Sequence, residues 1–217
     1  MKNIIVVKKK AYYQKFFKRH QSESDLITGI LLIYRGSFVH VLEASQSIVY
    51  SFIRDIGARK TFAPKTDAST DTKSQQPIEV PMITNARVLL VSEDVGSRFY
   101  PFWASRVIDV KDDASREVDM SLFSDPDALD KLVTDLCVGL LNVGGSLSNL
   151  NKSEVKHAFE EIMERYRDML PHQNLLTEIA GCNDIISVRE WLDAFQGPAH
   201  NTLESELVWP AVKPIII

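Results

Sequence analysis

The stretch Leu26–Ala44, LITGILLIYRGSFVHVLEA, constrains the fold more than any other part of the chain. Ile27–Tyr34 and Phe38–Glu43 read as two strands, and Arg35-Gly36-Ser37 between them predicts the turn of a hairpin. Alternate residues of the first strand point to opposite faces of a sheet, and both sets are apolar. Both faces must therefore be covered. Nearby helices can cover one face, whereas the other needs a later part of the chain or another protein.

The flanking segments predict an α+β domain. Apolar and aromatic spacing, together with a serine cap, predicts the following elements: a strand at Asn3–Val7, a helix at Lys10–His20, a helix from Ser45 to Gly57, and strands at Ala86–Val91 and Trp103–Val110. The order β-α-β-β-α-β-β is that of a ferredoxin-like sheet with one added strand. Ala58–Pro81 is polar and contains three prolines, which predicts a mobile loop.

The second half of the sequence has helical periodicity. Asp125-Pro126 predicts the start of a helix, and Gly144-Gly145 predicts its end. Asn151 with Glu154 predicts a capping box for a helix that continues to Pro171. A short helix around Leu175, Leu176 and Ile179 follows, and Ser187 with Glu190 caps a last one, with Trp191, Leu192 and Phe195 inward.

These elements divide the chain into segments. We predict a ferredoxin-fold domain over residues 1–110 with a mobile loop at 58–81, a linker at 111–124, a helical extension at 125–197 and an apolar, proline-containing tail at 198–217.

Composition excludes some classes of function. The chain has 217 residues, 45% of them apolar, and a net charge of −4, so generic nucleic-acid binding is not favoured. The longest apolar runs are too short to cross a membrane, and the N-terminus lacks the apolar core of a signal peptide. We therefore expect a cytoplasmic protein without membrane association. In such a compartment Cys137 and Cys182 are expected to be buried thiols.

No catalytic constellation emerges from the residues, and we expect a protein that is not an enzyme. The histidines and cysteines lack the spacing of a metal site, and Asp109–Asp119 lacks the glycine and alternating oxygens of a calcium loop. Gly144-Gly145-Ser146 lacks the lysine of a phosphate loop.

The two ends of the chain suggest surfaces for partners. The first 20 residues hold seven Lys or Arg and no acid. A solvated surface is one interpretation, and a patch that meets an acidic partner is the other. The tail LVWPAVKPIII is apolar and interrupted by prolines, which favours contact with another surface. The candidate partner-binding residues are Lys9, Lys10, Lys15, Lys18, Val208, Trp209, Ile215, Ile216 and Ile217.

The segment from Asn3 to about Val110 resembles the BLUF domain, a flavin-binding blue-light sensor. ITG at Ile27–Gly29, VLEA at Val41–Ala44 and RFYPFW at Arg98–Trp103 are similar to short motifs of that family. The photochemistry of the family implies a tyrosine, an asparagine and a glutamine around the flavin. Lys8, Ser22 and His40 stand at the matching positions, and none is of the required type. We therefore expect the fold without the light switch, and no cofactor.

A wider resemblance brings in the second half. The degenerate BLUF-like half, followed by helices that contain LVTDLCVGLLNVG, resembles the testis-expressed BLUF-like proteins of animal sperm. That resemblance implies a structural, microtubule-associated protein of the ciliary or flagellar axoneme, with other axonemal proteins such as radial-spoke, dynein-docking or tubulin surfaces as partners. The alternative is an FAD-binding light or redox sensor that signals through the C-terminal helices. The visible absorption of a bound flavin distinguishes the two.

Overall fold

Strand β1, Thr28–Ile33, is the central strand of a three-stranded sheet in the computed structural model. The structure describes residues 12–21, 25–58, 60–63, 78–81, 83–93, 95–108 and 117–195. The helices and strands are α1 (residues 12–20), β1, β2 (Phe38–Glu43), α2 (Gln46–Ala58), β3 (Lys60–Ala63), β4 (Ile78–Pro81), β5 (Trp103–Val107), a 3-10 turn (Met120–Phe123), α3 (Pro126–Ser148), α4 (Lys152–Glu160), α5 (Ile162–Arg165), α6 (Gln173–Gly181) and α7 (Val188–Phe195).

The sheet has the order β2-β1-β5. β1 and β2 form the predicted hairpin, with Thr28 opposite Glu43 and Ile33 opposite Phe38. β5 pairs with β1 in parallel, with Gly29 opposite Trp103. The α+β class is therefore confirmed. Among the described residues, however, the sheet has three strands and not the five of the predicted ferredoxin-like order with its added strand, and the predicted strand Asn3–Val7 lies outside them.

Both faces of β1 are covered by the chain itself. Leu31 and Ile33 pack with residues of α1, α2 and α7, including Phe17, Phe52 and Trp191. Ile30, Leu32 and Tyr34 pack with the C-terminal helices. On this second face the residues of α3, α5 and α6 include Leu136, Leu140, Val143, Ile162 and Leu176. Each fully buried apolar side chain stabilises the fold by about 1.5–3 kcal/mol. The later helices thus supply the cover that the apolar strand requires.

The predicted helix starts agree with the structure. The side chain of Asp125 accepts a hydrogen bond from Asp127 N and caps α3, which begins at Pro126. Asn151 and Glu154 form the predicted capping box of α4. Before α7, Glu190 N donates to Ser187 Oγ at 3.2 Å, and Ser187 N donates to Glu190 Oε2 at 2.8 Å.

The prediction that Gly144-Gly145 ends a helix is wrong, because α3 continues to Ser148. Gly144 is buried in that helix, and the ring of Tyr100 lies against it. A Cβ atom at position 144 would lie 2.7 Å from Tyr100 Cε2. The glycine therefore serves close packing between the sheet half and α3.

The predicted strand Ala86–Val91 is also wrong. Only Arg87 forms a β-bridge, with Ser187, and no strand is assigned between residues 86 and 91. The backbone there bonds to the α6–α7 connection instead: Val88 N donates to Ile186 O and Val188 N donates to Ala86 O. These bonds replace those of a sheet edge.

Two element ends and the burial of one side chain differ from the predictions. The helix predicted from Asn151 to Pro171 divides at Glu161, whose backbone leaves the helical region at φ −101 and ψ 21. β5 ends at Val107 rather than Val110, and residues 109 and 110 lie outside the described ones. Phe195 is 57% exposed rather than inward, and its ring lies 5.1 Å from that of Trp191 between centroids.

Two segments predicted to lack regular structure contain short elements. β3 and β4 pair in an antiparallel ladder at the two ends of the predicted loop, and residues 64–77 lie outside the described part. In the predicted linker, Met120–Phe123 forms a 3-10 turn capped by Asp119.

Candidate functional site

Few of the predicted site residues lie in the part of the chain that the structure describes. His40 is on β2, and Lys15 and Lys18 are exposed on α1. The other predicted residues lie outside the described residues: Lys8, Lys9, Lys10, Ser22, Val208, Trp209, Ile215, Ile216 and Ile217. The structure therefore describes the environment of His40 and the surface around α1.

Gly29 lies at the centre of the sheet, and Trp103 bonds to His40 across its strand. In the ladders, Gly29 lies between Leu42 of β2 and Trp103 of β5. Its φ is +131°, and a Cβ atom there would lie 2.0 Å from Val41 O, so only glycine fits. The glycine of the ITG motif thus lets the backbones of β1 and β2 approach closely. Across β1, the Trp103 indole Nε1 donates to His40 Nε2 at 3.0 Å.

This hydrogen bond fixes the protonation of His40. An indole N–H only donates, so Nε2 is the unprotonated nitrogen and the ring proton is on Nδ1. Nδ1 is sealed from solvent and has no partner among the described residues. Burial lowers the pKa of His40 from 6.5 to about 3. The imidazole is therefore neutral at physiological pH.

Aromatic rings fill the space over His40. We call Tyr13, Phe17, Phe52 and Trp103 together with His40 the His40 cluster. The Phe52 ring meets the imidazole edge-on at 4.8 Å between centroids, and Phe17 lies at 5.8 Å. Tyr13 lies at 6.3 Å from His40, and burial, with the charge of Asp55, raises the pKa of Tyr13. Its hydroxyl also lacks a partner among the described residues.

The His40 cluster does not fit a flavin. A planar ring system would need a slot between the sheet and the two helices, and side chains of both helices occupy that space. The polar atoms that remain are a phenol and an imidazole nitrogen, both sealed from solvent. No hydrogen-bonding amide faces the space at position 40. The described residues thus form a packed core where the resemblance implies a chromophore.

A second polar cluster surrounds Glu43 at the end of β2. Its carboxylate accepts hydrogen bonds from Thr28 Oγ1 at 2.7 Å and from the backbone N–H groups of Phe99 at 2.7 Å and Tyr100 at 3.0 Å. Arg98 Nη1 donates to Glu43 O at 2.8 Å and to Thr28 Oγ1 at 3.2 Å. The three motifs ITG, VLEA and RFYPFW meet at this carboxylate, which holds the turn before β5 against the hairpin.

Tyr100 and Arg87 connect this half of the protein to the C-terminal helices. Tyr100 is 2% exposed, and its hydroxyl donates to Leu140 O of α3. The Arg87 guanidinium donates to Ala180 O at 3.1 Å, Ile185 O at 2.9 Å and Asn183 Oδ1 at 3.1 Å. These bonds satisfy a carbonyl in the last turn of α6 and two oxygens in the α6–α7 connection. Both side chains are structural connections between distant parts of the sequence.

The exposed edge of β5 is bordered by two grooves. One, of about 540 Å³, lies between β5 and α1, where Gln14, Lys18 and Gln21 line it. The other, of about 460 Å³, lies between β5 and α4, where Lys156 and Glu160 line it. Both grooves share Phe102, Ser105 and Phe159, and we call the two together the β5 groove.

Other candidate sites are weak in the described part of the chain. No group of three or more His, Cys, Asp or Glu residues there is arranged to hold a metal ion. Cys137 and Cys182 are free and partly buried, and burial raises the pKa of the Cys137 thiol. Among the described helices, none combines the length and apolar character needed to cross a bilayer.

Sequence reasoning missed several of these residues. The sequence analysis included Glu43, Arg98 and Tyr100 only as parts of motifs that resemble a known family, and it gave Arg87 no role. A signal for Glu43 was present, because a carboxylate at the end of an apolar strand needs donors nearby. Two of its three donors lie more than 50 residues later, so their pairing with Glu43 was not readable from spacing.

The fold and these clusters define an α+β protein whose central strand is covered on one face by nearby helices and on the other by its own C-terminal helices. The family model described as testis-expressed protein 47 matches residues 6–197. The chain therefore belongs to the testis-expressed protein 47 family. The match spans both halves, which agrees with the predicted resemblance to testis-expressed proteins.

Proposed function

We propose that this chain is a non-enzymatic adaptor of the ciliary or flagellar axoneme, in which a BLUF-like fold without flavin photochemistry serves as a protein-docking module. The observation that carries the proposal is the His40 cluster. The position that matches the switch glutamine holds a neutral imidazole bonded to Trp103 and packed against Phe52. Such a site offers neither room nor an amide for a flavin switch.

Two further observations support the proposal. The motifs that resemble the BLUF family meet at Glu43, whose hydrogen bonds position the turn before β5. The testis-expressed family agrees with a role in a tissue that builds flagella. Hydrogen bonds from Arg87 and Tyr100 connect the two halves, which suits a rigid module that binds other proteins.

Lys15 and Lys18 indicate the surface through which the chain would meet a partner. Both are exposed on α1, and Arg19 beside them is exposed as well. Together with Lys9 and Lys10, which lie outside the described residues, they would steer the chain toward an acidic surface such as that of tubulin or another axonemal protein. The apolar tail with Val208, Trp209 and Ile215–Ile217 would provide a second contact.

Absorption spectroscopy tests the absence of photochemistry. The purified full-length chain, incubated with FAD and then desalted, is expected to show no visible flavin band. The His40→Gln variant restores the amide at one position only, and we expect the same result. A stoichiometric band that shifts reversibly on illumination would favour the light or redox sensor and overturn the adaptor proposal.

Incorporation into axonemes tests the location. A tagged chain expressed in flagellated cells is expected to remain with detergent-extracted axonemes at low salt and to be released as salt rises. Lys15→Glu with Lys18→Glu should release it at lower salt. Lys131→Glu with Arg167→Glu, which reverses two exposed basic residues of the helical half, serves as the matched control. Complete loss of the wild-type chain at low salt would contradict the proposal.

Truncation tests the tail. Removal of residues 208–217 should leave the thermal transition unchanged and reduce incorporation. If the truncated chain instead unfolds, the tail belongs to the core and not to a partner contact.

A further inference from the structure

The outer edge of β5 presents backbone groups in a regular pattern. Gly29 N donates to Phe102 O at 3.2 Å, and Ile108 N donates to Ile33 O at 2.8 Å. Residues of a parallel strand alternate in the direction of their backbone groups, so the even-numbered residues of β5 face β1. The N–H and C=O groups of Trp103, Ser105 and Val107 therefore point away from it. Within the described part of the chain, no strand pairs with this edge.

The side chains beside this edge are apolar and exposed. Phe102 is 44% exposed, Val107 is 48% exposed and Leu26 is 51% exposed, and all three line the β5 groove. Ser105 lies at its centre and is 8% exposed, and its hydroxyl has no partner among the described residues.

The groove has the dimensions of one extended segment. Its floor is a strand of five residues, or about 17 Å at roughly 3.3 Å per residue. α1 forms one wall and α4 the other. A strand laid along β5 would place alternate side chains against each wall.

The charge of the walls selects the occupant. Lys18 on the α1 wall and Lys156 on the α4 wall are both exposed. Arg106 lies on the strand between them, and its guanidinium donates to Glu160 O at 2.8 Å. Glu160 is the only acid among the lining residues of the two grooves. A second copy of this chain would bring a like-charged edge, so an acidic segment is the better match.

We propose that the β5 edge binds an extended segment of a partner protein that carries acidic and apolar residues, which joins the sheet as an additional strand. This inference rests on the proposed adaptor function, because it names the surface through which an adaptor would hold its partner. Strand addition of this kind takes affinity from backbone hydrogen bonds and specificity from alternate side chains.

A synthetic peptide tests the edge directly. The probe is a peptide of about eight residues that alternates valine with glutamate, and its matched control alternates valine with lysine. With the full-length chain, we expect saturable binding of the first peptide and at least tenfold weaker binding of the second. In NMR spectra the amides of Trp103, Ser105 and Val107 should gain protection from exchange, whereas those of Ala104 and Arg106 should be protected already.

Backbone methylation of the peptide separates strand addition from surface adhesion. Two methylated peptides are compared, one with methyl groups on its odd-numbered amides and one with methyl groups on its even-numbered amides. Each set of methyl groups blocks one edge of the extended peptide and leaves the other edge free. One of the two peptides should lose binding, and the other should bind as the unmethylated peptide does. Equal effects of the two sets of methyl groups would overturn the inference. This readout does not depend on whether any protein variant folds.

Protein variants test the charges. Lys18→Glu with Lys156→Glu should weaken binding of the glutamate peptide about tenfold and reduce its salt dependence. Lys131→Glu, a reversal on α3 away from the groove, should not change it.

Three other outcomes would overturn the inference. In the first, the glutamate peptide fails to bind. In the second, the amides of Trp103, Ser105 and Val107 are already protected in the free chain, because another segment of the same chain occupies the edge. In the third, the chain dimerises through β5. If peptide binding fails while the chain still incorporates into axonemes, only this inference is lost. If the peptide binds and incorporation fails, the proposed function is lost instead.

Discussion

The carboxylate of Glu43 accepts the backbone N–H of Tyr100 at 3.0 Å, so the end of β2 holds the turn that leads into β5. The same carboxylate accepts from Phe99 N and from Thr28 Oγ1, both at 2.7 Å. One side chain thus connects three segments that are distant in sequence. Because Tyr100 then reaches Leu140 O on α3, the position of this turn also sets how the helical half meets the sheet.

Replacing Glu43 with glutamine is expected to lower the free energy of unfolding by about 2 kcal/mol, because a neutral amide cannot accept from all three donors. Urea denaturation monitored by tryptophan fluorescence measures the change. Glu93→Gln is the matched control, since Glu93 is exposed, and its effect should stay within about 0.5 kcal/mol. Equal effects of the two variants would show that the Glu43 bonds contribute nothing net.

Gly144 and Gly145 form a natural pair for testing packing. Gly144→Ala places a methyl group 2.7 Å from the buried Tyr100 ring and should destabilise the protein by about 1–3 kcal/mol. A Cβ atom at Gly145 meets nothing within 4 Å, so Gly145→Ala should stabilise α3 by up to about 1 kcal/mol. Calorimetric Tm values should move in opposite directions. A stabilised Gly144→Ala protein would contradict the described contact.

His40 predicts a pH dependence of stability. Its pKa is about 3 in the folded protein and 6.5 for the unperturbed residue, so the unfolded chain binds the extra proton between these values. The contribution of neutral His40 is present above pH 6.5 and is lost as pH falls, with a slope of up to about 1.4 kcal/mol per pH unit. His40→Gln keeps an acceptor for Trp103 but does not titrate in this range.

Urea denaturation of the wild type and His40→Gln from pH 7.5 to about pH 5 tests this dependence. Hydrogen bonds from Ser121 and Ser187 hold the pKa values of Asp119 and Glu190 below their ordinary range, so these groups titrate in stronger acid. The wild type should lose stability relative to the variant as pH falls. Parallel curves would contradict the buried, neutral state of His40.

Arg87 should be essential for the α6–α7 connection. Arg87→Met removes three hydrogen bonds to residues 180–185 while it keeps an apolar stem, and we expect a loss of about 2–3 kcal/mol. Hydrogen exchange of the amides of residues 183–188 should become faster. The control Arg189→Met changes an exposed arginine of α7 and should leave both measurements unchanged. Unchanged exchange in Arg87→Met would show that the backbone bonds alone hold the segment.

The sequence by itself determined the elements that local chemistry decides. The hairpin of β1 and β2 follows from alternating side chains around Arg35-Gly36-Ser37, and the starts of α3 and α4 follow from Asp125 and Asn151. The apolar character of both faces of β1 also predicted two layers of cover, because a strand with no polar side cannot face water. The position of His40 on the sheet followed from the predicted strand Phe38–Glu43.

The tertiary structure alone decided what those elements meet. Gly144 reads as a helix end from its neighbours in sequence, and only the Tyr100 ring against it explains why the helix continues. Ala86–Val91 has the composition of a strand, but Arg87 bonds to carbonyls of residues 180 and 185 instead. The carboxylate of Glu43 and the imidazole of His40 find their partners, at positions 100 and 103, across the fold. Spacing and propensity describe interactions over a few residues, whereas contacts between residues dozens of positions apart arise only when the whole chain packs.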